Sequence, residues 1–282
     1  MFKIKKYIPD IVVAIILIAG IGLLAYPTIG DYINALHSSK AIGSYVEKTK
    51  DLSKEEKENL LREAREYNES LVGKVNRYYL NEEEKKRYAH ILDITKTGIM
   101  AYVEIPKLNI YMPVYHGTDE GVLQIAAGHL PGSSLPVGGE NTHSLISGHR
   151  GLPSAKLFTD IDKLKKGDLF FIHVFDEVLA YKVNQIKIVL PDDVETLEIE
   201  KGKDYVTLIT CTPYGVNSHR LLVRGERTVY KQSESKIEDV IKKNNLKYIM
   251  LTAGVILALI GMTVLVSVFL IKRRKRRKLN EK

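Results

Sequence analysis

Hydrophobic residues are arranged along this chain in three different ways. Near each end lies an unbroken apolar run. Ile11 to Gly30, IVVAIILIAGIGLLAYPTIG, carries no charge over 20 residues, and Tyr248 to Ile271, YIMLTAGVILALIGMTVLVSVFLI, carries none over 24. A hydrocarbon core about 30 Å thick needs roughly 20 helical residues, so each run is long enough to span a bilayer. The second is too long and too uniformly apolar for the core helix of a globular domain. The first lacks a clear A-x-A cleavage site and reads as an uncleaved anchor over 11–30 rather than a signal peptide. Over residues 31–97 the spacing turns helical. Ser53 and Glu56 form an S-x-x-E capping box, and Leu60, Leu61, Ala64, Tyr67 and Leu71 recur on one face. This arm is either a stalk or a layer packed on the domain after it.

From Gly98 to Tyr230 the pattern shortens to strands. GIMAYVEIP and NIYMPVYHG are separated by Pro106 and a turn over Lys107 to Asn109. NTHSLISGH, DLFFIHV, VLAYKVNQIKIVL, DYVTLITC and RLLVRGERTVY come next, with turn residues between them. Many short strands in one compact stretch predict a closed or nearly closed β-barrel over 98–230. SAKLFTDIDKLKKGD reads as a short helix and a turn, and the acidic PDDVETLEIE, residues 191–200, as a solvated loop. Residues 231–247 form a polar linker into the second apolar run, 248–271.

Charge refines this outline. The net charge is +8, but residues 1–10 carry +2 and residues 272–282 carry +7, which leaves the middle near −1. A nucleic-acid groove in the central domain is therefore not expected. Lysine and arginine collect on the cytoplasmic side of membrane spans. The expected topology places both basic ends in the cytoplasm and residues of about 31–247 outside, in a protein of the cell membrane with its folded domain extracytoplasmic.

The chain has one cysteine, Cys211. Outside the cytoplasm cysteines usually pair, so a solitary one suggests a reactive thiol or an intermolecular bridge. Cys211 ends DYVTLITC; Arg220 opens RLLVRGER with eight residues between them, Pro213 and Gly215 among those. If the two strands pair around this turn, Cys211 and Arg220 share one rim of the sheet. A small buried core cysteine beside a surface arginine is the alternative, and free cysteines are often buried. A thiolate that attacks a carbonyl needs a proton donor for the leaving group, usually histidine. Of eight histidines, His37 and His90 lie in the helical arm, His219 lies in the turn, and His149 comes after a strand and a glycine at a possible rim. Spacing alone does not choose among them. No metal-ligand spacing is present, and no metal or cofactor is expected.

TLITCTPYGVNSHRLLVRGER and LPVGGENTHSLISGHRGLPSAKLFTDIDKL together resemble the sortases, in particular class C, the pilin-polymerising type. The likeness runs from about Met100 to Val229, roughly half the chain. It implies a mainly β fold: a sortase-type eight-stranded barrel with short helices, here preceded by the helical arm and flanked by the two apolar spans. It places the family's histidine on His149, its cysteine on Cys211 and its arginine on Arg220. It further implies a two-step transpeptidation without cofactor. Cys211 would attack the threonine carbonyl of an LPXTG-like signal on a pilin, and a lysine amine of a second pilin subunit would resolve the thioester. Thr210 is a candidate to line the substrate pocket, with an ordinary strand threonine as the alternative; Asn141 and His143 are expected to serve the barrel. One feature departs from the class. The lid region of class C enzymes often carries an Asp-Pro-aromatic motif, and YNESLVGKVNRYYLNEEEKKRYAH, residues 67–90, has no Asp-Pro pair. Tyr78 and Tyr79 are then expected to pack on a helix rather than to plug a site. Two rival readings stay open: a sortase that joins proteins to a peptidoglycan precursor, and a non-catalytic membrane scaffold.

Overall fold

A computed structural model describes residues 8–230 and isolated helical positions between 250 and 261. The linker over 231–247, the tail over 272–282 and most of the second apolar run lie outside the described residues. The chain divides into two compact units, one of residues 34–233 and one of residues 1–33 with 234–282.

Helix α1 spans Ile8–Asp51 and contains Pro27. Its segment Ile15–Asp51 is long and apolar enough to cross a bilayer, judged by length and composition. Leu23 and Leu24 are about four-fifths exposed, as lipid-facing side chains would be. The helix does not end at Gly30, where the apolar run ends. It continues as an amphipathic segment that buries Ser38, Ile42, Tyr45 and Thr49, four positions three and four apart on one face. Tyr45 fixes this segment to the barrel. Its hydroxyl donates to the Met100 carbonyl at 3.1 Å and accepts from the Phe175 amide at 3.0 Å. Its ring stacks on Phe175 and meets Tyr102 edge-on. The arm is thus a packed layer and not a free stalk.

Helix α2, Lys54–Leu71, begins at the expected capping box: the Ser53 hydroxyl accepts from the Glu56 amide, and the Glu56 carboxylate accepts from the Ser53 amide. It buries Leu61, Ala64, Tyr67 and Leu71. Asn68 on the same face pairs with both the amide and the carbonyl of Leu135. Helix α3, Glu82–His90, starts with a second capping box between Asn81 and Glu84. It presents Tyr88 to the buried His129.

The eight strands are β1 Ile99–Ile105, β2 Ile110–His116, β3 Ala127–His129, β4 Thr142–Ser147, β5 Leu169–Val174, β6 Glu177–Val189, β7 Asp204–Thr212 and β8 His219–Arg227. They close into a barrel in the order β1-β2-β3-β4-β7-β8-β6-β5. Seven of these match the predicted strands. β3 is only three residues long, too short to stand out as a β-rich run. A 3-10 turn over Pro106–Leu108 and a left-handed Asn109 make the predicted break between β1 and β2. A second 3-10 turn, Ile161–Lys163, occupies the predicted short helix. Helix α4 is a single turn, Glu120–Leu123, between β2 and β3.

Two pairings position the site. β4 runs parallel to β7 with Ser147 opposite Ile209, so the residues after Ser147 emerge level with those after Ile209. β7 and β8 are antiparallel with Cys211 opposite Arg220.

Candidate active site

Side chains alternate across a strand, and this alternation sorts the end of β7. Leu208 and Thr210 are buried with Leu221 of β8. Ile209 and Cys211 face the other way, opposite Leu222 and Arg220 respectively. Cys211 is partly exposed and unpaired. The Arg220 guanidinium bends over the turn, where Nη1 donates to the carbonyls of Asn217 and His219, both at 3.2 Å. The thiol and the guanidinium therefore leave adjacent strands at one rim.

His149 reaches this rim through backbone ties. The Gly148 amide donates to the Ile209 carbonyl at 3.0 Å, and the Thr210 hydroxyl donates to the Gly148 carbonyl at 2.7 Å. The parallel register of β4 and β7 thus runs one residue past the strand, and His149 stands level with Cys211. The Phe158 amide donates to the His149 carbonyl at 3.1 Å. Gly148 permits this course: a Cβ there would lie 2.6 Å from the Phe158 ring. The His149 Nε2 is shielded from solvent and has no hydrogen-bond partner among the described residues. A carboxylate oxygen of Glu120, on α4, lies 3.7 Å from it. The His149 side chain is one-quarter exposed and that of Glu120 nearly three-quarters exposed, so part of the ring reaches solvent while Nε2 itself is covered.

Thr210, a candidate for the substrate pocket, is 2% exposed, and its hydroxyl is committed to Gly148. It faces the interior and supports the His149 backbone instead. His143 and Asn141 serve the barrel as expected. His143 is fully buried between the Glu198 carbonyl and the Thr207 hydroxyl. Burial holds its pKa down at about 4, although the Glu198 carbonyl pulls the other way, so the ring is neutral. Asn141, at φ 61°, accepts from the Gly202 amide.

Two expectations about the surroundings need correction. Residues 191–200 are more than a solvated loop. Leu197 in the 3-10 turn Glu195–Leu197 is buried against Leu145, Ile209 and Leu222 on the barrel face that carries Cys211. Tyr79 is about four-fifths exposed, whereas Tyr78 is partly buried against the barrel. Tyr78 lies on that same apolar strip, with Leu130 and Val189. The neighbouring Arg77 is 3% exposed and donates to the Leu197 carbonyl at 2.6 Å and to the Tyr78 hydroxyl at 2.7 Å. Hydrophobic burial of Tyr78 and Leu197 and a desolvated guanidinium hold the two loops together without an Asp-Pro pair. Between them is a cleft of about 730 Å³ lined by Val75, Tyr79, Leu130 and Val194.

A sortase-domain family model matches residues 103–228. A solved structure of sortase C1 from Streptococcus agalactiae is 49% identical, with 68% of this chain and 100% of that chain covered, and a TM-score of 0.66. The chain belongs to the sortase family. A solved sortase C from Streptococcus pneumoniae is 47% identical with a TM-score of 0.62, covering 69% of this sortase and 99% of that chain. Both solved relatives are class C, and class C is where this sortase falls. Curated relatives are more distant: Sortase A of Streptococcus agalactiae is 28% identical over 53% of this chain and 61% of its own length. Sortase D of Bacillus subtilis is 31% identical over 44% of this chain and 62% of its own. This sortase thus spans about three-fifths of the length of the curated relatives it matches. Glu120 and Arg150, the latter next to His149, carry no sequence signal that marks them as part of a site.

Proposed function

We propose that this sortase is a membrane-anchored cysteine transpeptidase that joins pilin subunits outside the cytoplasm. The observation that carries the reading is the convergence of three groups at one rim: Cys211 opposite Arg220 in the ladder, and His149 brought level with Cys211 by the two ties at Gly148. In the first step the Cys211 sulfur attacks the threonine carbonyl of an LPXTG-like signal. The threonine–glycine bond breaks, and His149 gives its proton to the departing glycine amine. In the second step a lysine amine of another subunit attacks the thioester. His149 takes up the amine proton, the sulfur leaves, and an isopeptide bond remains. Arg220 binds the substrate or the carbonyl oxygen as it gains charge; a guanidinium rooted opposite Cys211 in the ladder suits that role.

Support for a pilin substrate comes from the class C relatives. The structure of the Streptococcus pneumoniae enzyme is described as bearing on pilin substrate specificity. Membrane attachment at both ends rests on the apolar runs and their basic flanks. The full chain in detergent, given a signal-bearing pilin, should produce a ladder of covalent multimers, and Cys211→Ala should produce none. Coupling only to a cell-wall peptide would favour peptidoglycan anchoring. An unchanged ladder from Cys211→Ala would eliminate the thiol mechanism.

A further inference from the structure

We propose that Arg150 is a positioning residue for the acyl transfer, holding the His149 loop against the end of β7 that carries Cys211. The inference rests on the proposed transpeptidation and adds a residue to it. His149 lies between two neighbours that are both tied to β7. On one side Gly148 bonds to Ile209 and Thr210. On the other, Arg150 Nη1 donates to the Thr212 hydroxyl at 3.2 Å. The ties at Ile209, Thr210 and Thr212 flank Cys211, so loop residue 149 is bracketed beside strand residue 211 from both sides. The Phe158 amide also holds the His149 carbonyl, but that tie does not reach β7; Arg150 supplies the bond from the far side of His149 to the strand that carries Cys211.

The guanidinium is built in. Its side chain is 11% exposed, whereas arginine is rarely so buried unless paired. Its second amino group meets the Asp162 carboxylate, on the 3-10 turn Ile161–Lys163, in a close ion pair. That partner offsets the cost of burying the charge. The Arg150 Cζ lies 6.0 Å from the Tyr214 ring centroid, so the same group also faces the β7–β8 turn. The next residue, Gly151, at φ +79°, admits the Tyr214 ring so closely that a Cβ there would lie 3.1 Å from it. One side chain thus spans the histidine loop, the strand end beside the thiol and the turn that leads to Arg220. Lysine, a single point charge without the planar fork, cannot reproduce the two directed contacts.

The test compares Arg150→Ala, Arg150→Lys and Asp162→Asn with Cys211→Ala in the full chain. The substrates are a sorting-signal peptide and a lysine-bearing acceptor; sites are titrated by alkylation of Cys211 and corrected for the folded fraction read by near-ultraviolet circular dichroism. The expected result is a fall in kcat per titrated site on the order of 10- to 100-fold for Arg150→Ala, with KM little changed. Arg150→Lys should restore only part of it, and Asp162→Asn should fall between. Added guanidinium ion, below denaturing concentrations, should raise the kcat of Arg150→Ala but not that of Cys211→Ala. Normal turnover per titrated site in Arg150→Ala overturns the proposal, whatever its thermal midpoint. Should Arg150→Ala not fold, normal turnover in Arg150→Lys and Asp162→Asn overturns it equally. Transfer that persists in Cys211→Ala would instead sink the proposed transpeptidation itself.

Discussion

Cys211 and Arg220 stand directly opposite each other in the antiparallel ladder of β7 and β8. Such a pair has its Cβ atoms about 5 Å apart, so backbone pairing sets where both side chains start, and the turn carbonyls of Asn217 and His219 hold the guanidinium end. Replacing Arg220 by alanine is expected to lower kcat/KM on the order of 100-fold or more, the scale seen when one preorganised donor to a developing oxyanion is lost. Arg220→Lys should recover charge but not the fork and should remain well below wild type. Steady-state kinetics on a signal peptide checks both; a wild-type kcat/KM in Arg220→Ala would remove this residue from the mechanism.

Thr210 stands next to the thiol in sequence yet points away from it. Its hydroxyl donates to the Gly148 carbonyl at 2.7 Å inside the barrel. Thr210→Val keeps the shape and removes the donor, leaving a carbonyl short of a partner. The expected cost is about 1–3 kcal/mol of stability, read by denaturant unfolding. Turnover should fall with the loosened His149 loop while KM stays near wild type. A raised KM with unchanged stability would mean that the hydroxyl meets substrate after all.

Tyr78 and Arg77 close over the apolar strip formed by Leu145, Ile209 and Leu222. Removing the whole helical arm is a poor probe of this cover, because Ile42, Tyr45, Leu61 and Tyr67 of the arm are core residues. Tyr78→Ala leaves that core intact. It should free the loop and increase the rate at which a bulky thiol reagent reacts with Cys211 several-fold, with a smaller effect on a small reagent. Equal rates for wild type and variant with both reagents would show that the segment does not guard the thiol.

How much of the molecule is legible in the sequence depends on the range of the forces involved. A β-rich run bounded by turn residues is a local signal, and it marks the seven longer strands; Ala127–His129 is held by its neighbours on both sides and carries no pattern of its own. Helix α1 outruns the apolar run because its second half is amphipathic and docks through Tyr45, which hydropathy alone does not register. The inward aim of Thr210 is legible in principle: once Cys211 is assigned to one face, period two assigns its neighbour to the other. Arg150 and Glu120 are not legible. A charged residue beside a histidine or in a short loop looks like ordinary surface until the register of β4 on β7 brings distant segments together.

His143 offers a test of the scaffold through pH. Burial keeps its pKa near 4 in the folded protein, against an ordinary value of 6.5. Between these two values the unfolded chain binds a proton that the folded chain refuses, so stability falls as pH drops from about 6.5 towards 4. Above that window both states are neutral at this site, and the site contributes no slope. The full difference corresponds to roughly 3 kcal/mol. His129, buried with its pKa at about 3, acts in the same direction. His143→Gln retains an uncharged donor but cannot titrate. It should lower the thermal midpoint somewhat at neutral pH, because the bonds to Glu198 and Thr207 are imperfectly replaced. Between pH 6.5 and 5, above the range where most carboxylates protonate, its midpoint should decline less steeply than that of wild type. Parallel curves over that interval would mean that His143 is protonated in the folded barrel. Its bonds to the Glu198 carbonyl and the Thr207 hydroxyl would then both be donated by an imidazolium.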